Sequence, residues 1–132
     1  MDQFEHERLD VYRTSIEFLV LSDQMTNALP RGRAYLADQL RRAASSIPLN
    51  IAEGAGEFAA ADKARFYRFA RRSATESAAI IDALAALELT DESLRTRGRG
   101  LLLRIVAMVL KISGSGSGSG HLRALGSGST PL

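Results

Sequence analysis

The stretch LRRAASSIPLNIAEGAG, from Leu40 to Gly56, decides how this chain folds. Apolar and small residues recur every three or four positions from about Arg33 onward, as on one face of an α-helix, yet Pro48 stands in the middle of the pattern. A proline lacks the amide donor, and its ring clashes with the carbonyl oxygen four residues back. The stretch therefore predicts a helix kinked at Pro48, with small side chains at positions 43–46 that let a second helix approach closely.

Three further segments repeat the helical spacing on either side of this stretch. They begin near Asp10, near Ala60 and after Thr90 or Asp91, either of which would cap the fourth helix. No segment alternates with the period of two that marks a β-strand. Four helices joined by short connections predict an all-α, antiparallel up-and-down four-helix bundle over residues 1–112.

Two local features of this pattern lead to further expectations. Gly98 and Gly100 each cost about 1 kcal/mol relative to alanine inside a helix, so the fourth helix is expected to begin later than its apolar pattern suggests. In the third helix, Phe66 and Phe69 fall on the predicted core stripe, and we interpret them as packing residues rather than as platforms for stacked bases. Tyr67 is expected at the boundary of the core.

The composition changes abruptly after Ile112. A run of alternating serine and glycine occupies residues 113–120, and the chain ends in HLRALGSGSTPL. This pattern predicts a flexible tail over residues 113–132. Its strict alternation is typical of an engineered segment, and the alternative is a natural Gly/Ser-rich tail. Within the tail, HLRAL (121–125) is interpreted either as a docking peptide or as part of a disordered segment.

Several classes of function are excluded by the residues that the chain lacks. It has no cysteine, and its only histidines are His6 and His121, so no metal site and no cofactor are expected. No nucleophile, base and orienting group converge in the pattern, which predicts that the chain is not an enzyme. The N-terminus is acidic where a signal peptide is basic, and no apolar run approaches a membrane span, so a cytoplasmic protein without a membrane partner is expected.

The charges are distributed unevenly along the chain. Residues 1–30 carry a net charge of −4 and residues 31–72 carry +5, within a total of +2. Arginines at helical spacing form basic strips; the favoured interpretation is an ordinary solvated helix surface, and the alternative is phosphate binding. The candidate nucleic-acid-binding residues are Arg41, Arg42, Arg65, Arg68, Arg71, Arg72, Arg95, Arg97 and Arg99.

Polar residues beside the apolar stripes form a second candidate set, consisting of Asn50, Glu53 and Glu76. One interpretation joins Asn50 and Glu53 with the neighbouring arginines in an anion site. The favoured interpretation is a structural polar interface, in which Glu53 and Glu76 pair with arginines across helices or subunits.

Three segments of the chain resemble one bacterial protein family. QLRRAASSIPLNIAEG (39–54) is similar to the signature of the four-helix-bundle proteins related to those encoded in 23S ribosomal RNA intervening sequences. LDVYRTSIEFL (9–19) resembles the opening helix of that family. FYRFARRSATESAAIIDAL (66–84) resembles its third helix, including a glutamate that corresponds to Glu76.

This resemblance implies a protomer that assembles into a homopentameric ring. Related accessory proteins of diversity-generating retroelements form such rings and bind nucleic acid and a reverse transcriptase, whereas the family has no established catalytic activity. The function predicted from the sequence is therefore a non-catalytic oligomeric scaffold or binding protein whose main partner is itself. The alternative is an accessory protein that binds RNA or DNA through basic strips on the assembled ring.

Overall fold

The computed structural model describes residues 2–115. A short 3-10 helix, Glu5–Arg8, precedes four α-helices, and the described residues include no strand. The helices are α1 (Asp10–Asn27), α2 (Ala34–Ala55), α3 (Ala60–Ala86) and α4 (Glu92–Ser115). The prediction of an all-α chain with four helices is confirmed. The HLRAL segment lies outside the described residues.

The four helices form a bundle in which each helix contacts two neighbours. Helix α1 packs against α2 and α4, and α3 packs against the same two helices. Within residues 2–115, α2 and α4 do not contact each other, so they lie diagonally across the bundle. The core between the helices includes side chains that are fully buried, among them Phe18, Leu40, Ile47, Leu84 and Ile105.

Local hydrogen bonds explain where the last two helices begin and end. The amide of Leu94 donates to the Asp91 carboxylate over 2.8 Å, so Asp91 is the side chain that caps α4. At the end of α3, the amide of Leu89 donates to the Leu84 carbonyl oxygen over 2.8 Å, while Glu88 adopts a φ of 61°. This is the hydrogen-bond pattern of a Schellman motif, in which glycine is the usual residue at positive φ.

Gly98 lies inside α4, and the expectation that this helix begins later is wrong. Gly98 is buried, and a Cβ atom added to it would lie 3.2 Å from Ile81 Cδ1 and 3.5 Å from Leu21 Cδ2. The missing side chain therefore lets α4 approach both α1 and α3. This close packing offsets the intrinsic helix cost of the glycine.

The aromatic residues of α3 are placed differently from the sequence-based expectation. Tyr67 is only 5% exposed, whereas Phe66 and Phe69 are partly exposed. Tyr67 is buried because Gly54 on the neighbouring helix α2 has no side chain and leaves room for the Tyr67 ring. A Cβ atom at Gly54 would lie 2.7 Å from Tyr67 Cε1. Tyr67 is therefore a core residue, and placing Phe66 and Phe69 on the core stripe was wrong.

Helix α2 is assigned continuously through Pro48, which is buried. Helix α4 extends to Ser115, three residues past Ile112. None of the helices formed by residues 2–115 combines the length and the hydropathy needed to cross a lipid bilayer.

Candidate nucleic-acid interface and assembly surfaces

The first half of α3 carries a strip of arginines that have no acidic partner within the described residues. This α3 strip consists of Arg68, Arg71 and Arg72, none of which takes part in an ion pair among residues 2–115. Arg68 and Arg71 line a groove beside Val109 and Leu110 of α4. The strip therefore presents positive charge that the described part of the chain does not neutralise.

Arg65 lies beside the α3 strip but is engaged by its neighbours. Its guanidinium carbon lies 4.7 Å from the centre of the Phe66 ring, and its Nη2 lies 3.8 Å from Asp62 Oδ1. Phe66 also contacts Phe69 edge to face, with ring centres 6.1 Å apart. A cation held over an aromatic face and paired with a carboxylate is less available to a phosphate than a solvated one.

The remaining predicted arginines do not join this strip. Arg95 pairs with Asp82 of α3 over 3.7 Å and with Glu92 over 3.6 Å. Asp82 follows Arg68 by 14 residues, which places it about 21 Å further along α3. Arg97 and Arg99 are exposed on the same first turns of α4 as Arg95, and neither takes part in an ion pair among the described residues.

The two arginines of α2 have different surroundings. Arg41 pairs with Asp38 over 3.7 Å and donates to the Asn27 side chain over 3.4 Å. Arg42 is exposed and precedes Ser46, which contacts α3, by one helical turn. The structure therefore distributes the nine predicted arginines over more than one surface.

Asn50 belongs to a small hydrogen-bonded network between α2 and α3. Its amide donates to the carbonyl oxygen and to the hydroxyl of Ser46, each over 2.9 Å, and the Ser73 hydroxyl donates to the Ser46 hydroxyl over 2.8 Å. These side chains line a shallow cleft together with Phe69, Arg72 and Glu76. The position of Asn50 agrees with a structural polar role between two helices.

The two predicted interface glutamates are both exposed. Within residues 2–115, neither Glu53 nor Glu76 takes part in an ion pair. Glu76 lies beside Arg72 in the cleft described above, and Glu53 lies in a different cleft at the far end of α2. Their pairing with arginines of another subunit stays a prediction.

A first exposed apolar surface, which we call the α2 patch, consists of Phe4 and Leu49. These side chains are 73% and 64% exposed and line one cleft together with Ala52 and Gly56. Phe58, which follows this cleft in the connection between α2 and α3, is fully exposed.

A second exposed apolar surface, the α4 patch, consists of Leu103 and Leu110. They are 59% and 48% exposed, and their spacing of seven residues places them on one face of α4, two turns apart. Neither patch was predicted from the sequence. For the α4 patch, the spacing of seven residues between Leu103 and Leu110, outside the predicted core stripe, would have indicated a second apolar face.

Burial raises the pKa of the Tyr67 hydroxyl, because removal from water disfavours the charged phenolate. Tyr67 lines the groove between α3 and α4 next to Arg68. Residues 2–115 contain no group of three or more histidine, aspartate or glutamate side chains placed to hold a metal ion.

Comparison with known protein families identifies the group to which this fold belongs. Residues 7–111 match the family described as 23S rRNA-intervening sequence protein. No curated protein gives a significant match to the chain. The match covers most of the sequence, and the chain therefore belongs to the 23S rRNA-intervening sequence protein family.

Proposed function

We propose that this member of the 23S rRNA-intervening sequence protein family is a non-catalytic bundle that assembles with copies of itself into a closed ring. The observation that carries the proposal is the pair of exposed apolar patches on α2 and α4, which lie diagonally across the bundle. A ring with head-to-tail contacts needs two different surfaces on each subunit, whereas a two-fold dimer needs one self-complementary surface. We take five as the subunit number from the family resemblance.

The finer features of the protomer belong to the same proposal. We propose an antiparallel bundle, since Ser46 contacts Ser73 while Gly54 faces Tyr67, so that residue numbers run in opposite directions along α2 and α3. We also propose a kink in α2, because Pro48 cannot donate a hydrogen bond to the Ala44 carbonyl oxygen.

Light scattering of the purified full chain at several concentrations tests the assembly. We expect a mass near five times 14.3 kDa that stays constant on dilution through the micromolar range. A mass equal to one chain at all concentrations would overturn the proposed function. A stable mass of two chains would replace the ring by a two-fold dimer.

A second candidate function, binding of RNA or DNA, is favoured by the α3 strip. Arg68, Arg71 and Arg72 lie within two turns of one helix without an acidic partner among the described residues. Phosphate binding by such a strip is electrostatic, and repetition around a ring multiplies weak contacts through their high effective concentration.

Fluorescence anisotropy with labelled single-stranded RNA and duplex DNA tests this second function. We expect affinity to fall steeply as salt rises, and the Arg68→Glu/Arg72→Glu variant to lose binding. The matched control is Arg31→Glu/Arg97→Glu, which makes the same change of charge at two exposed arginines outside the α3 strip and should retain most of the affinity. Equal losses in both variants would contradict a localised site, and the absence of binding by the wild-type chain would rule out the function.

A further inference from the structure

We infer that the α2 patch of one copy of this chain receives the α4 patch of a second copy. The inference rests on the proposed self-assembly and adds the identity of the two surfaces that meet. Each patch is apolar at its centre and charged at its rim, and the two rims carry opposite charge.

The α2 patch has an acidic rim. Glu5 and Glu53 line the same cleft as Phe4 and Leu49, and Glu57 follows directly after the cleft residue Gly56. None of these three glutamates takes part in an ion pair among residues 2–115. The cleft therefore offers an apolar floor surrounded by carboxylates that have no partner within the described chain.

The α4 patch has a basic rim. Arg104 follows Leu103 and Lys111 follows Leu110, so both cations flank the apolar face on one side. Arg99 lies one turn before Leu103. All three cations are exposed, and none takes part in an ion pair within residues 2–115.

The charges of the two rims favour one way of pairing over the others. Two α2 patches placed face to face would bring Glu5 and Glu53 of one copy against the same carboxylates of the other copy. Two α4 patches would bring Arg104 and Lys111 against their own copies. Only the contact between an α2 patch and an α4 patch sets carboxylates against cations while burying apolar side chains on both sides.

The positions of the patches make this contact propagate from one subunit to the next. Because α2 and α4 lie diagonally across the bundle, a subunit bound through its α2 patch still presents a free α4 patch. Repetition of the same contact adds further subunits until the first and the last one meet.

Lysine substitutions at exposed apolar positions test the assignment by light scattering. Leu49→Lys and Leu103→Lys should each raise the concentration needed for assembly at least tenfold, because each places a charge at the centre of a buried contact. Val20→Lys is the matched control, since Val20 is 57% exposed on α1, outside both patches, and its substitution should leave the mass unchanged. Circular dichroism should show the same helix content in all three variants.

The absence of cysteine in the wild-type chain permits a second and independent test. In the Leu49→Cys/Leu103→Cys variant, a short bis-maleimide should join subunits into a ladder that ends at the full ring. Either single variant should give no cross-linked dimer, because a head-to-tail contact never brings two identical positions together. Efficient dimer formation by Leu49→Cys alone would overturn the inference in favour of a two-fold contact.

The outcomes separate the inference from the proposed function on which it rests. A monomeric wild-type chain would overturn both. An assembled wild-type chain whose Leu49→Lys and Leu103→Lys variants assemble as readily would retain the proposed function and overturn the pairing of the two patches.

Discussion

Replacing Gly54 by alanine should destabilise the bundle although alanine is the better helix former. A Cβ atom at this position would lie 2.7 Å from Tyr67 Cε1, 2.8 Å from Tyr67 Cδ1 and 3.2 Å from Phe66 Cβ. Contacts this short force a shift, and the atoms met are those of a buried ring rather than the end of a flexible side chain. Overpacking of this kind costs about 1 to 3 kcal/mol in free energy of unfolding.

The higher helix propensity of alanine raises the free energy of unfolding and so opposes the clash. The substitution of Gly100, a second glycine inside a helix, gives the size of this effect without a clash. Gly100 lies inside α4 with nothing within 4 Å of an added Cβ atom. Gly100→Ala should therefore raise the free energy of unfolding by about 1 kcal/mol. We expect Gly54→Ala to be less stable than Gly100→Ala by about 1 to 3 kcal/mol, which is the cost of the clash alone.

Urea unfolding followed by far-ultraviolet circular dichroism, at one fixed protein concentration, gives both values. If Gly54→Ala stabilised the chain as much as Gly100→Ala does, the packing argument for the Tyr67 position would be refuted. A Gly54→Ala/Tyr67→Ala double variant strengthens the test. Once the ring is removed, the alanine at position 54 should become neutral or stabilising relative to the Tyr67→Ala parent.

Three further predictions concern single side chains, and urea unfolding measures each of them. Asp91→Ala should lower the free energy of unfolding by about 1 kcal/mol, because it removes the side-chain cap of α4. Lys63→Met should also lower it by about 1 kcal/mol, since the Lys63 ammonium donates over 3.0 and 3.2 Å to two carbonyl oxygens at the end of α2. Because burial raises the pKa of Tyr67 in the folded chain, the unfolded chain loses this proton first as the pH rises above about 10, and stability should fall there. Tyr67→Phe should show a shallower loss of stability between about pH 9 and 11, and an unchanged slope would contradict the burial argument.

Much of the helical framework could be predicted from the sequence, because local signals mark where the helices begin and end. Apolar periodicity located all four helices, and the predicted starts near Arg33 and Ala60 lie within one residue of the observed ones. For α4 the sequence offers Thr90 or Asp91 as the cap, and in the structure the Asp91 side chain caps the helix. The end of α3 could not be predicted in this way. Its last turn places Glu88 at a positive φ, a conformation that usually indicates a glycine in the sequence.

The errors arose where a residue on one helix is explained by a residue on another. Helix propensity alone disfavours Gly98 within α4, but its place there depends on Ile81 and Leu21 of the neighbouring helices. The sequence places Tyr67 only at the boundary of the core, but its full burial depends on the missing side chain of Gly54. A single-helix pattern carries no information about such pairs, because they are set by the register between helices.

The same limit applies to the candidate site, where the sequence groups charges by their distance along the chain. By that measure Arg95 belongs with Arg97 and Arg99 in a basic segment without acids. In the folded chain, Asp82 of α3 lies 3.7 Å from Arg95 and neutralises it, while Arg68 and Arg72, which have acidic residues nearby in sequence, have no ion pair within the described residues. The positive charge available to a phosphate is therefore decided by contacts between helices: Arg95 is paired across helices, whereas Arg68 and Arg72 on α3 and Arg97 and Arg99 on α4 have no ion pair within the described residues.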